Sequence, residues 1–132
     1  MNPVDLIPHE VLRFIDDHVE SIEQLEILRL LGEAGATPWN VADLTQASQT
    51  RPDAIQAHLA RLEAHGLLKT ETHENAVLCR LAPTSAALAE RVQELLRAYK
   101  EHPVTLIRWV YSRKDDRLKA FAEAFRLRQE KG

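Results

Sequence analysis

The 132-residue chain is 45% hydrophobic and 28% charged, with 20 acidic against 17 basic residues and a net charge of −3. It has apolar material for a folded core and lacks the overall positive charge of a surface that attracts nucleic acid everywhere. Charges interrupt every apolar run within a few residues, Met1 to Glu10 has neither a basic start nor an apolar stretch, and Cys79 is the single cysteine. A membrane span, an export signal, an internal disulfide and a zinc site of paired thiolates are therefore not expected, and a cytoplasmic location is.

The charge is unevenly spread. Residues 1–20 carry five acids and one base, residues 21–83 eight acids and five bases, and residues 84–132 seven acids and eleven bases. This division matches three expected segments: an N-terminal helical arm (1–20), a central unit (21–83) and a helical C-terminal extension (84–132), together forming one compact domain. In the arm, Pro8 suits the first turn of a helix, and Val11, Leu12, Ile15 and Val19 recur at helical spacing. Ser21 with Gln24 predicts a capping box, followed by Ile22, Leu25, Ile27, Leu28, Leu30 and Leu31 up to Gly35. So wide an apolar arc implies a helix packed on two sides.

Thr37-Pro38-Trp39 reads as a short extended piece. Asn40 with Asp43 is expected to cap a helix of about two turns bearing Val41, Leu44 and Ala47, and Ser48-Gln49 to form a turn. Thr50 is expected to cap a third helix, with Pro52 and Asp53 in its first turn, Ile55, Leu59 and Leu62 inward, and Gly66 at its end. Residues 67–72 and 76–81 are two strand-like runs around His73-Glu74-Asn75, a hairpin in which Asn accepts a left-handed turn. Thr84 or Ser85 then caps a long helix with Leu88, Val92, Leu95, Leu96 and Tyr99 on one stripe, ending near His102. Pro103 opens a further apolar segment, and Ser112 with Asp115 is expected to cap a last helix bearing Leu118, Phe121, Ala122 and Phe125.

Helix, short strand, helix, turn, helix and hairpin, in that order, resemble the winged helix-turn-helix of MarR-like and ArsR-like bacterial regulators. The stretch Ala54 to Leu68 carries the likeness most closely, with its Leu62-Glu63-x-x-Gly66-Leu67 run. Asp17 to Glu26 and Ala120 to Arg128 also resemble a group of uncharacterised bacterial winged-helix proteins, which brings no activity with it. The resemblance implies a mainly α fold with a small β hairpin, and a DNA-binding regulator that works as a dimer on double-stranded DNA.

On that reading Arg51, Gln56, Ala57 and Arg61 face the major groove, Gln56 against an adenine edge and the arginines against phosphate or guanine, while Lys69, His73 and Asn75 of the wing touch the backbone. Two departures from the family pattern stand out: Ala54 and Ala57 replace the usual hydroxyl and arginine positions, and Asp53 and Glu63 repel phosphate. The wing tip, His73-Glu74-Asn75, lacks Arg and Lys. The alternative is a protein-docking module without DNA binding, which small Ala57, Ala60 and Ala64 would suit. Arg113, Lys114, Arg117 and Lys119 add DNA contacts if they lie on the same side as the third helix.

The stripe Leu88, Val92, Leu95, Leu96 and Tyr99 is the candidate homodimer contact, with intrachain packing on Phe121 and Phe125 as its competitor. His58, His65, His73 and Cys79 lack the paired spacing of a metal site, so no metal or other cofactor is expected, and Cys79 is expected to pack as a small apolar residue. Phosphate loops, nucleophile elbows and His-Glu-x-x-His patterns are absent from the sequence, which reads as a non-enzyme. Asp16-Asp17 reads as a solvated acidic face and Asp115-Asp116 as the first turn of a helix. Trp39 and Trp109 read as core anchors, and Arg126, Arg128 and Lys131 as a solvated tail.

Overall fold

The computed structural model describes the backbone of residues 3–130 and the side chains of residues 3–126. Within that range a 3-10 turn, Pro3–Leu6, precedes α1 (His9–His18) and α2 (Ile22–Ala34). Next come β1 (Trp39–Asn40), α3 (Val41–Ala47), α4 (Ile55–Ala64), the hairpin strands β2 (Leu68–His73) and β3 (Ala76–Leu81), α5 (Ala86–Glu101) and α6 (Pro103–Glu130). The fold is mainly α with a small antiparallel sheet of order β1-β3-β2, the arrangement of a winged helix-turn-helix. Cys79 of β3 sits between Trp39 and Thr70 in that sheet, and its burial pushes the thiol up to about 12.

Helix α2 is the centre. Leu25, Ile27, Leu28, Leu30 and Leu31 are all buried, and the helix meets α4, α5, α6 and β3. Its start is capped as expected by Ser21, whose hydroxyl accepts from the Gln24 amide at 3.2 Å. The return bond is displaced by one residue: Gln24 Oε1 accepts from the Glu20 amide at 2.9 Å. Gln24 is itself buried, and its amide nitrogen lies 3.1 Å from His58 Nδ1 on α4, so both ends of a buried polar side chain are satisfied. At Gly32 an added Cβ would land on Leu96 of α5, so the glycine sets how closely those two helices approach.

Helix α3 starts as expected, with Asn40 Oδ1 accepting from the Ala42 amide at 2.9 Å. The start of α4 differs from expectation. Thr50 is buried with its hydroxyl 2.7 Å from Ser48 Oγ, and the Ala54 and Ile55 amides donate to the Arg51 carbonyl instead. The helix therefore begins at Ile55, and Arg51 and Asp53 belong to the turn that leads into it. Ile55, Leu59 and Leu62 face the core as expected, and Gly66, at φ +77°, turns the chain into the hairpin. Glu74 and Asn75 form the hairpin turn, both at positive φ.

The C-terminal extension departs most from expectation. Ser85 caps α5, as one of two expected caps, but Ser112 caps nothing, because α6 runs without interruption from Pro103 to Glu130. Neither Gly nor Pro occurs anywhere in residues 104–130, and a serine within a helix is only mildly unfavourable. Asp115 and Asp116 thus lie in mid-helix, where Asp116 pairs with Arg113 at 3.4 Å. Asp16 is no solvated acid either. Its carboxylate accepts from Trp109 Nε1 at 2.9 Å and lies 3.1 Å from Arg113 Nε, its carbonyl accepts from Arg117 at 2.9 Å, and Arg113 stacks over the Trp109 ring. Three residues of α6, each four apart, thereby clasp the end of α1.

The expected dimer stripe is also corrected. Val92, Leu95 and Tyr99 are buried inside the chain, and Leu88 and Leu96 are half-buried. They pack on α1, α2 and the first turns of α6, and Phe121 and Phe125, the competing partners, are exposed. Tyr99 donates its hydroxyl proton to Glu26 of α2. The side chain of Arg128, and Lys131, lie outside the described residues.

Two substitutions probe this frame. Gly66→Ala places a Cβ 2.5 Å from Thr84 Oγ1 in a left-handed backbone, and should lower unfolding stability by about 1–3 kcal/mol in a urea titration. His18 of α1 lies with Nδ1 2.8 Å from Nδ1 of His65 at the end of α4. Burial first, and the neighbouring His65 second, push its pKa below the ordinary 6.5. The unfolded chain then takes up that proton more readily than the folded one, so this contribution is intact above about 6.5 and is lost as pH falls below it. The urea midpoint should drop between pH 7.5 and pH 5, and His18→Gln should shrink the drop; an unchanged pH dependence in the variant would reject the assignment.

Candidate nucleic-acid interface

The outward face of α4 follows from its inward one. With Ile55, Leu59 and Leu62 seated on α2 and the core, the helical period leaves Gln56, Ala57, Ala60 and Arg61 on the opposite side, and all four are exposed. No described residue of α5 or α6 covers them. Beside them an open groove of about 730 Å³ runs between the start of α3, the start of α4 and the hairpin tip, bordered by Ala42, Thr45, Pro52, Gln56, Glu74 and Asn75. Gln56, expected to read a base edge, and Asn75, expected to touch the backbone, thus share one groove, and its described lining contains an acid and no base. His58, by contrast, is turned inward to Gln24.

Each cation of the expected interface lies beside an acid, with Lys69 and His73 sharing one. Arg51 lies 3.7 Å from Asp53 in the turn before α4, both well exposed. Arg61 pairs with Glu20, which lies between α1 and α2. Lys69 lies 3.8 Å from Glu71, and His73 Nε2 lies 3.2 Å from the other oxygen of the same carboxylate. That carboxyl is held below the usual range, by its hydrogen bond with His73 first and then by Lys69 and Arg80. Glu63, the second expected repeller of phosphate, is turned aside to accept from the Thr70 amide and hydroxyl.

Lys69, Glu71 and His73 alternate along β2 and so share one face of the hairpin, with Arg80 opposite Lys69 in the register. Arg80 and Glu71 belong to this cluster although neither was expected there, and the two-residue spacing of Lys69, Glu71 and His73 was the signal for Glu71. Glu20 left no such signal, since it lies 41 residues from Arg61. Arg113 and Arg117 are committed to the Asp16 clasp. Among the described residues no group of three or more His, Cys, Asp or Glu side chains is placed to hold a metal ion, and no helix is long and apolar enough to cross a membrane.

No family model and no curated protein matches the chain. Solved structures do. The chain is similar to a MarR-family transcriptional regulator from Silicibacter pomeroyi, with 16% identity and a TM-score of 0.53 over 84% of this chain and 78% of that one. It is similar to the YusO protein from Bacillus subtilis, with 18% identity and a TM-score of 0.52 over 91% and 82% of the two chains. It is also similar to RV1404 from Mycobacterium tuberculosis, with 23% identity and a TM-score of 0.51 over 88% and 79%. At such identities the likeness is one of architecture, and the chain has the winged-helix fold of MarR-type proteins.

Proposed function

We propose that the chain is a DNA-binding transcriptional regulator that acts as a dimer on double-stranded DNA. In this reading Gln56 and Ala57 face base edges, Arg51 and Arg61 meet phosphates or guanine, and Lys69, His73 and Asn75 contact the backbone beside the groove. The observation that carries the reading is the open outer face of α4: Gln56, Ala57, Ala60 and Arg61 are exposed next to the hairpin tip, with the C-terminal helices packed elsewhere. The winged-helix fold shared with a MarR-family regulator agrees with it.

A second reading, a protein-docking module without DNA binding, is favoured by one specific observation, the pairing of Arg51, Arg61 and Lys69 with carboxylates of the same chain. A phosphate must displace those acids, which lowers affinity without closing the surface. The two readings separate in a salt titration on random duplex followed by fluorescence anisotropy. Three cations per copy in a dimer give a slope of roughly −5 in log K against log salt, at about −0.9 per phosphate contacted.

Replacing Arg51 and Arg61 together by Ala should abolish measurable duplex binding with the circular dichroism unchanged. Glu20→Gln, which frees Arg61, should tighten binding several-fold at low salt. Duplex binding that survives the double arginine change would remove DNA recognition from this face, and no binding by the native chain at 50 mM salt would leave the docking reading.

A further inference from the structure

One edge of α4 is held by polar side chains from the corner between α1 and α2. His58, Arg61 and His65 stand three and four residues apart and so share that edge. Each has a partner in the corner: Gln24 Nε2 lies 3.1 Å from His58 Nδ1, Glu20 pairs with Arg61, and His18 Nδ1 lies 2.8 Å from His65 Nδ1. His18 and Glu20 flank buried Val19, and their contacts lie one turn apart on α4. An ion pair as exposed as Glu20 with Arg61 contributes little unless its ends are already aligned, and the neighbouring histidine contact aligns them.

The protonation state of the two rings decides whether that contact exists. Two imidazole nitrogens at 2.8 Å need one donor and one acceptor. With one proton added, a charged ring still donates to a neutral one; with a second, two donors of like charge face each other and the contact is lost. Burial first, and the neighbouring His65 second, keep that proton off His18 until pH falls below the ordinary 6.5, and Asp17 opposes them with a smaller effect. The other charges around His18 are Glu10 and Arg13 of α1 and Arg91 of α5, which border the same cavity of about 330 Å³, and Arg91 is paired with Glu94 at 2.8 Å. On α4 itself the charges nearest His65 are Arg61, paired with Glu20, and Glu63, which accepts from Thr70. Among the described residues neither ring is hydrogen-bonded to a carboxylate, so no ion pair stabilises the doubly charged state.

We propose that the corner between α1 and α2 is a proton-released brake on α4, keeping Arg61 on Glu20 while the His18–His65 contact stands and freeing the guanidinium for a DNA phosphate once it is lost. This rests on the duplex-binding reading and adds acidity as its regulator. Release leaves α4 in place, because Ile55, Leu59 and Leu62 hold it to the core from another side.

Anisotropy titrations on random duplex at low salt should show the native chain tightening from pH 7.5 to pH 5.5 several-fold more than His18→Gln, whose neutral amide takes up no proton, with both chains folded by circular dichroism throughout. Protonation of His73 adds to both profiles alike, so their difference is the readout. Glu20→Gln, with Arg61 already free, should show the shallow profile of His18→Gln. A measurement without DNA separates the brake from the reading beneath it. The Arg61 Nε nitrogen resonance, assigned by its loss in Arg61→Lys, should move between pH 7.5 and pH 5.5 in the free native chain and stay in place in His18→Gln. A native resonance that does not move, one that moves alike in His18→Gln, or coincident binding profiles of those two chains would each overturn the brake. A moving resonance in a chain that binds no duplex would instead overturn the DNA reading.

Discussion

Helix α2 cannot leave either of its long sides in water, and the other helices are arranged around that constraint. Its buried leucines and Ile27 occupy both flanks, each worth roughly 1.5–3 kcal/mol when removed from solvent, so two layers of helix must close over it. Helix α4 takes one position with Ile55, Leu59 and Leu62; α5 takes another with Val92, Leu95 and Tyr99. Once those residues are committed, what remains outside is determined: the thin polar side of α4, and the side of α6 turned away from α1. Both faces are what remains after the interior is satisfied.

Much of this was legible locally. Ser21, Asn40 and Ser85 act as caps, Gly35 and Gly66 end helices in left-handed conformations, and Asn75 with its neighbour forms the tight hairpin, because each is decided by backbone chemistry within a few residues. The expectations that failed depended on distant partners. Thr50 has the chemistry of a cap but spends its hydroxyl on Ser48, and Asp16 looks solvated until α6, nearly a hundred residues later, supplies Trp109 and Arg113. The stripe of α5 had the right period for an interface; period alone does not tell a helix's own core from a partner's.

The same split holds for the candidate site. Gln56, Ala57 and Arg61 were identifiable as the outer face of α4 from the positions of Ile55, Leu59 and Leu62. The acids that hold the cations were only partly readable: Asp53 and Glu71 lie within two residues of Arg51 and Lys69, whereas Glu20 reaches Arg61 only because α1 and α2 fold back beside α4. Such pairs are weak where exposed, so they modulate an encounter with a polyanion and do not forbid it. The electrostatic character of the face is thus set jointly by α4 and by the chain before α2.

The hairpin turn has a further consequence. Glu74 and Asn75 complete it with two residues, both in the left-handed region, and the strands are paired in register up to His73 and Ala76. Such a tip has little slack. Any surface it meets must fit it as it stands, so ordering entropy is small and adaptation is smaller still; discrimination by this wing would come from shape, with little contribution from induced fit.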